Sequence, residues 1–370
     1  MRAFGFLSFG HYGRGAGVGG VDARQMLHDA IDIAVGADEI GVNNASYRVH
    51  HFATQSASPM PLLAAAAART RRIEVGTGVI DMRYENPLYL AEEAAALDYI
   101  ADGRIALGIS RGSPEPADRG WETFGYTGST DPRGADIARI KFERFLRAIR
   151  GEKLATAGAD AGYGGAIPGA GLRVEPHSPT LIDRIWWGAG SRETAESTGR
   201  MGLNLMSSTL LTEATGQSLG DLQAEQIQRF RDAYAAAGHT GRPRVSVSRS
   251  VFPIVTGEDR YLFGMRPGEG ADQIGIIDGM RSTFGRTYAG EPDQLIEQLK
   301  ADAAVMSADT VMLTIPSQMG VDLNLRILQN FAEHVAPALG WKPNTEGPVQ
   351  GDLVEADPGA ATDAPARAEG

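Results

Sequence analysis

At 370 residues the chain is long enough for one large barrel or two domains, and 42 % hydrophobic with 22 % charged residues is ordinary for a globular protein. Cysteine is absent, which excludes thiolate metal sites and cysteine nucleophiles and fits a reducing compartment. The formal charge is −11, and the basic footprint that a nucleic-acid partner requires is missing.

Residues 3–9 read as a buried strand, too close to the start and too short for a signal-peptide core. Residues 10–20 form a glycine-rich loop and 23–35 a helix with Met26, Ala30, Ile33 and Ala34 on one face. A short strand at 39–42 leads to a polar loop ending Arg48-Val49-His50-His51-Phe52, and 61–69 is an alanine-rich helix. The longest small-apolar run, residues 59–68, is far short of a membrane span, so a cytoplasmic protein is expected. Strand 73–79, helix 87–101 and strand 105–109 make one βαβ unit of two parallel neighbours. A long loop, 112–132, precedes helix 137–150, and the Gly/Ala-rich stretch 156–171 is expected to be a mobile surface insertion. Strands at 185–188, 203–206, 244–255 and 310–315 alternate with helices at 191–200, 222–237, 292–306 and 323–335, while 261–285 reads as irregular. From residue 342 Pro, Gly, Ala and acids dominate, and disorder is expected. Eight strand–helix units over residues 1–341 predict an α/β chain, a (β/α)8 TIM barrel with insertions, followed by a tail at 342–370.

Ligands of such sheets sit beyond the carboxyl ends of the strands. Thr77-Gly78-Val79 and Ser110-Arg111-Gly112 therefore end at one rim, where an arginine among small residues suits an anionic, planar cofactor. Gly15-Ala16-Gly17-Val18-Gly19-Gly20 has the letters of a dinucleotide fingerprint, but it does not directly follow a strand. Gly108-Ile109-Ser110-Arg111-Gly112 has the letters of a serine-hydrolase elbow, but Ser113-Pro114-Glu115-Pro116 is a poor helix start. His50 and His51 follow the second strand and, on extended backbone, point opposite ways. They lack the spaced partners of a metal site, so no metal is expected. Ala189-Gly190-Ser191-Arg192-Glu193-Thr194 joins a strand to a helix, with Ser191 a natural N-cap, and helix N-termini hold phosphate.

The chain resembles the bacterial luciferase-like flavin-dependent monooxygenases over nearly its whole length to Trp341. The resemblance is carried by His50-His51-Phe52, Val75-Gly76-Thr77-Gly78-Val79, Asn86-Pro87, Gly103-Arg104-Ile105-Ala106-Leu107-Gly108, Ser110-Arg111-Gly112, Gly188-Ala189-Gly190-Ser191 and Gly290-Glu291-Pro292. It implies a (β/α)8 barrel binding flavin mononucleotide (FMN), or in some branches a deazaflavin, at its C-terminal mouth. It makes His50 the catalytic histidine and Gly78-Val79 the site of a non-proline cis peptide behind the flavin ring, with Thr77 alongside. Ser110 would lie beside the ring, Arg111 near the phosphate arm, and Gly190, Ser191 and Thr194 on the phosphate, joined by Arg139 or Arg133. Phe52, Trp121, Phe124 and Tyr126 would wall the substrate pocket, and 261–285 would be a lid. Luciferases carry a glutamate before the double histidine, where Val49 stands here, and a cysteine common beside the arginine is here Ser110.

The implied activity is monooxygenation of a small organic substrate with reduced FMN and O2 through a peroxyflavin. A separate NAD(P)H-dependent flavin reductase and a homodimer are the implied partners. The alternatives are a deazaflavin-dependent dehydrogenase of the same fold, a non-catalytic flavin-binding partner subunit and, remotely, a serine hydrolase.

Overall fold

Eight parallel strands pair in chain order and close on themselves. They are β1 (Ala3–Ser8), β2 (Asn44–Tyr47), β3 (Glu74–Asp81), β4 (Ile105–Ser110), β5 (Ile185–Ala189), β6 (Asn204–Ser207), β7 (Val245–Pro253) and β8 (Thr310–Ile315). Closure comes from β8 beside β1 in register Ala3↔Thr310 and from β6 beside β7 in register Val245↔Leu205. The computed structural model describes residues 1–13, 20–112, 114–264, 270–277 and 279–347. The glycine motif at 15–19 and the tail from 348 onward lie outside the described residues.

The architecture is the (β/α)8 barrel that the alternation of elements predicts. Helices α1 (Ala23–Ile40), α2 (Pro59–Arg69), α3 (Pro87–Ile100), α4 (Ala135–Ile149), α5 (Arg192–Arg200) and α6 (Leu219–Ala236) surround the sheet. Helices α7 (Gly257–Phe263), α8 (Pro292–Ala301), α9 (Ala303–Ser307) and α10 (Val321–His334) complete the ring. The main core lies between strands and helices, around Phe4, Ile33, Leu63, Leu90, Phe145, Phe230 and Phe331. Among the described residues no helix is long and apolar enough to cross a membrane.

Several elements differ from the sequence expectation. The first helix runs on through Gly36 to Ile40, and the following strand begins at Asn44 rather than 39. Gly36 reads as a breaker, yet a Cβ there would stand 2.5 Å from Leu325, so close packing against α10 selects glycine inside the helix. The true stop is Gly41, left-handed at φ 91°, whose N–H bonds to Ala37 and Asp38 carbonyls. The segment expected as one helix over 292–306 is two, because Asp302 caps α9 by accepting from Ala304 and Val305 N–H. The stretch 156–171 is tied off by a short ladder, Ala155–Thr156 against Gly171–Leu172. The irregular stretch 261–285 includes an antiparallel hairpin, Gln273–Ile277 with Met280–Phe284, which pairs on to Leu210–Leu211; residues 265–269 and 278 of it lie outside the described set. An extra strand, Thr287–Gly290, runs parallel beside β7. Past Trp341 the chain still packs on the barrel, with Asn344 N–H on Gly41 O and its amide on Arg72 O.

The N-terminal end of the barrel is closed by charge. Glu74 begins β3 and Arg244 precedes β7, four strands away around the ring, and the two meet across the floor at 3.1 Å. Both side chains are buried; Asn44 of β2 donates to Glu74, and the Arg244 guanidinium lies 4.8 Å over the Trp186 ring of β5. The Arg244 N–H is accepted by Asn204 of β6. This cluster joins the two halves of the barrel through the starts of five strands, β2, β3, β5, β6 and β7.

Removing one partner of such a pair leaves a buried, uncompensated charge, at a cost of about 3–5 kcal/mol. Glu74→Gln should therefore lower the urea midpoint by that equivalent at unchanged m-value. A midpoint within error of the wild type would show that the floor pair is dispensable.

Candidate functional site

The carboxyl ends of β2 to β6 supply the rim. After β2 the chain presents Arg48, His50 and His51 in succession. His50 Nδ1 lies 3.1 and 3.2 Å from the two carboxylate oxygens of Glu115, whose side chain is 2 % exposed against 12 % for His50. On its other side Arg48 Nε donates to His50 Nε2 at 3.1 Å, and Arg48 Nη1 donates to Gly78 O at 3.3 Å. Arginine has only donors, so His50 Nε2 must accept and the ring proton sits on Nδ1, donated to Glu115. Burial pulls the Arg48 value down while Glu115 pulls it back up, and arginine stays charged throughout.

His51 lies where the chain leaves extended conformation and bends toward Tyr84. It stacks on Tyr84 with centroids 4.0 Å apart, and burial first of all lowers its pKa, keeping the ring neutral. Phe124 meets Tyr84 and Phe52 edge-on at 5.2 and 5.8 Å, and Trp121 meets Tyr84 at 6.4 Å. Tyr126 does not join this wall; it lies under Lys141 Nζ, 3.0 Å from the ring centroid. Burial pushes the Tyr84 phenol up to about 12, so its hydroxyl keeps its proton.

Beside His50, the Gly78–Val79 peptide is cis, where the β3–β4 register shifts. Three glycines face each other across β3, β4 and β5. A Cβ on Gly78 would stand 2.8 Å from Leu7, one on Gly108 would stand 2.2 Å from Thr77 O, and one on Gly188 would stand 3.0 Å from Val79. The strands close tightly on these positions, and Leu7, Val79 and Met206 take the space that side chains there would fill. Thr77 is fully buried, and its hydroxyl is spent on Gly108 O at 2.7 Å.

Ser110 ends β4, and its Oγ accepts from Gly112 N–H at 2.8 Å. Gly112 is left-handed at φ 93°, and a Cβ there would stand 1.9 Å from Asp81 Oδ2. Asp81 itself is clamped by Arg83, with Nε at 2.9 and 3.0 Å and Nη2 at 2.5 Å. Burial pushes the Asp81 carboxyl up to about 6 against the downward pull of Arg83. Arg111 thus stands between a fixed serine and a glycine that no other residue can replace without strain. Among the described residues no α-helix follows Ser110 until α4, so the hydrolase elbow lacks its helix.

Strand β5 ends at Ala189 and Ser191 caps α5: Thr194 N–H donates to Ser191 Oγ at 3.2 Å, and the two hydroxyl oxygens are 2.9 Å apart. Gln226 of α6 donates to Ala189 O and Ser191 O and so fixes the Gly190 turn. Arg139 sits on the exposed side of α4, opposite the buried row Ala138, Phe142, Phe145 and Leu146. Arg133 lies nearer the rim hairpin, with Nη1 3.6 Å from Met280 Sδ.

His50, Gly78, Val79, Ser110, Arg111 and the Gly190–Thr194 cap thus all lie at or just beyond the carboxyl ends of β2 to β5. Sequence reasoning missed Arg48 and Glu115. Arg48 stands two residues before His50, with Val49 between, and Glu115 reads in the sequence only as part of a proline-rich helix breaker.

The sequence model of the luciferase-like monooxygenases matches residues 1–260. The 4-hydroxyprotoasukamycin monooxygenase of Streptomyces nodosus subsp. asukaensis is 36 % identical over 96 residues, 25 % of this chain and 26 % of that protein. An F420-dependent glucose-6-phosphate dehydrogenase of Nocardia farcinica is 32 % identical over 90 residues, 23 % of this chain and 27 % of its own. Matches of this kind span about a quarter to a half of the length of the curated relatives. Among solved structures, monooxygenase RslO1 from Streptomyces bottropensis superposes with a TM-score of 0.65 at 21 % identity, covering 90 % of this chain and 99 % of that one. The FMN complex of the oxygenating constituent of 3,6-diketocamphane monooxygenase, from a Pseudomonas putida plasmid, gives 0.64 at 18 % identity, covering 91 % and 98 %.

Two outcomes follow from the geometry. Long-range proton–nitrogen NMR of the neutral His50 ring should show the proton on Nδ1, and a proton on Nε2 would contradict the Arg48 contact. Gly112→Ala should lower stability by more than about 1 kcal/mol, because it adds positive-φ strain to a collision with Asp81; an unchanged melting curve would contradict that packing.

Proposed function

The chain belongs to the luciferase-like monooxygenase family, and within it we propose an oxygenase that uses reduced FMN and O2 to oxygenate a small organic substrate. The observation that carries this reading is a half-buried His50–Glu115 pair and a capped helix N-terminus both at the carboxyl ends of the strands, with Gly78, Gly108 and Gly188 packed between. The ring would lie over Leu7, Val79 and Met206, Ser110 would lie at its edge, and Arg111, Ser191 and Thr194 would hold the phosphate. When bound, the reduced flavin supplies the electrons for oxygen chemistry.

The protein's own part is positioning, proton handling and exclusion of water. His50 holds its proton at Nδ1 and shares it with the Glu115 carboxylate; Nε2 can take a second proton only when Arg48 swings away. The wall of Phe52, Tyr84, Trp121 and Phe124 keeps the mouth apolar and shields the reaction from bulk water. The hairpin strands Gln273–Ile277 and Met280–Phe284, the second paired with Leu210–Leu211, are the lid candidate. A separate flavin reductase as electron donor and a homodimeric assembly belong to the same proposal. The relative titled an oxygenating constituent supports the two-component arrangement.

The F420-dependent relative favours a second reading, hydride transfer with a deazaflavin and no use of O2. Oxygen uptake separates the two. With reduced FMN and a substrate panel, an oxygenase consumes O2 in step with product. Coupled turnover on F420 without oxygen uptake would move the chain to the dehydrogenase branch, and flavin binding without either would leave a non-catalytic subunit.

His50→Ala should lower turnover by about 10²–10⁴-fold with FMN affinity nearly unchanged, since general acid–base groups contribute on that scale. Unchanged turnover would remove His50 from the chemistry. Arg111→Ala should weaken FMN by about tenfold or more, one charge-assisted contact's worth, and riboflavin far less. Equal losses would show that Arg111 does not see the phosphate.

A further inference from the structure

Glu213 lies just beyond the short strand Leu210–Leu211 and returns to the N-terminus of α5. Its Oε1 accepts from the N–H of Arg192, the first residue of that helix, at 3.1 Å, and its Oε2 stands 2.7 Å from Arg192 Nε. The carboxylate therefore occupies the positive end of the helix dipole, next to the Ser191 and Thr194 hydroxyls. The main chain on either side is pinned. Thr212 donates to Gly190 O through both its N–H and its hydroxyl, at 2.8 and 3.0 Å, and Thr283 of the hairpin donates to Glu213 O at 2.8 Å. Glu213 is thus a held group rather than a wandering surface side chain.

We propose that Glu213 is a built-in competitor for the cofactor phosphate. The inference rests on the reading of this rim as an FMN site and adds what this chain does with it. Phosphate and carboxylate want the same donor, the Arg192 N–H. They carry like charge, so a phosphate held by Ser191 and Thr194 must either push the carboxylate aside or bear its repulsion. The penalty falls on phosphate-bearing ligands alone; the ring over Leu7, Val79 and Met206 does not meet it. Loose binding of this sort suits an oxygenase that takes its flavin from a separate reductase and returns it each turnover. Arg192 is not left bare by the exchange, because its Nη1 also holds both Glu225 oxygens at 2.9 Å.

That second carboxylate provides the control. Glu225 shares Arg192 but does not touch the helix N–H, so Glu225→Gln removes the same charge without freeing the donor. Binding of oxidised FMN and of riboflavin to the full chain is followed by quenching of flavin fluorescence in wild type, Glu213→Gln and Glu225→Gln. Glu213→Gln should tighten FMN by about fivefold or more, within the range of a helix-end charge effect, and leave riboflavin within about twofold. Glu225→Gln should leave both within about twofold, and retained riboflavin binding in each variant shows that it is folded. Unchanged FMN affinity in Glu213→Gln, or equal tightening in Glu225→Gln, overturns the competitor role. A wild-type chain that prefers FMN to riboflavin, with Glu213→Gln unchanged, removes this inference alone. A wild-type chain that binds neither flavin removes the FMN reading beneath it.

Discussion

The buried pair of Glu74 and Arg244 fixes what everything else depends on, the closure of the sheet. A parallel barrel has no edge strands, and each strand must keep its register with two neighbours. Glu74 and Arg244 sit on opposite sides of the ring and are desolvated together. Asn44 then sets the start of β2 against the Glu74 carboxylate, and Asn204 sets the start of β6 by accepting from the Arg244 main-chain N–H. With the floor set, the other ends of the strands fall at a common height. Tyr47, Asp81, Ser110, Ala189 and Ser207 end there, and the loops after them form one mouth.

At that mouth the protein uses fixed charges to hold atoms rather than to make stability. Arg48 is the clearest case, since one guanidinium sets the tautomer of His50 and reaches the carbonyl of Gly78 on the next strand. Asp81 and Arg83 do the same under Gly112, with Arg83 also lying 4.7 Å over the Trp121 ring. These pairs tie loop residues to strand ends, which suits a site that needs sub-ångström placement. The luciferases' glutamate before the double histidine has no counterpart here: Val49 stands in that place and packs into the core. The carboxylate beside His50 comes instead from residue 115, in a different loop.

The rim also places acid where a phosphate reader would want only base. Glu213 on the α5 N-terminus and Glu115 against His50 both lower the positive potential of the mouth. An enzyme that stores its cofactor has little use for the first of these. One that exchanges flavin with a partner, as proposed, would, and Glu213 is also anchored to the hairpin through Thr283.

The fold was legible in the sequence, because alternating strand and helix patterns and β-branched runs ending in glycine are local signals. So was the position of Arg111 and Ser191 just beyond strand ends, whereas the strand before His50 lies at 44–47 and not at 39–42 as its pattern suggested. The first helix was cut short at Gly36 because the packing of Leu325 that selects a glycine there belongs to a residue almost three hundred positions away. The hairpin at 273–284 escaped notice because its strands alternate weakly and gain their partner, Leu210–Leu211, only in three dimensions. By itself the sequence determined the barrel, its family resemblance and the side of the barrel on which chemistry happens. Only the tertiary structure decided which acid meets His50, which nitrogen of that ring holds the proton and which carboxylate caps α5. Those are contacts between loops 20 to 65 residues apart, and no local pattern of residues records who will be facing whom once the ring has closed.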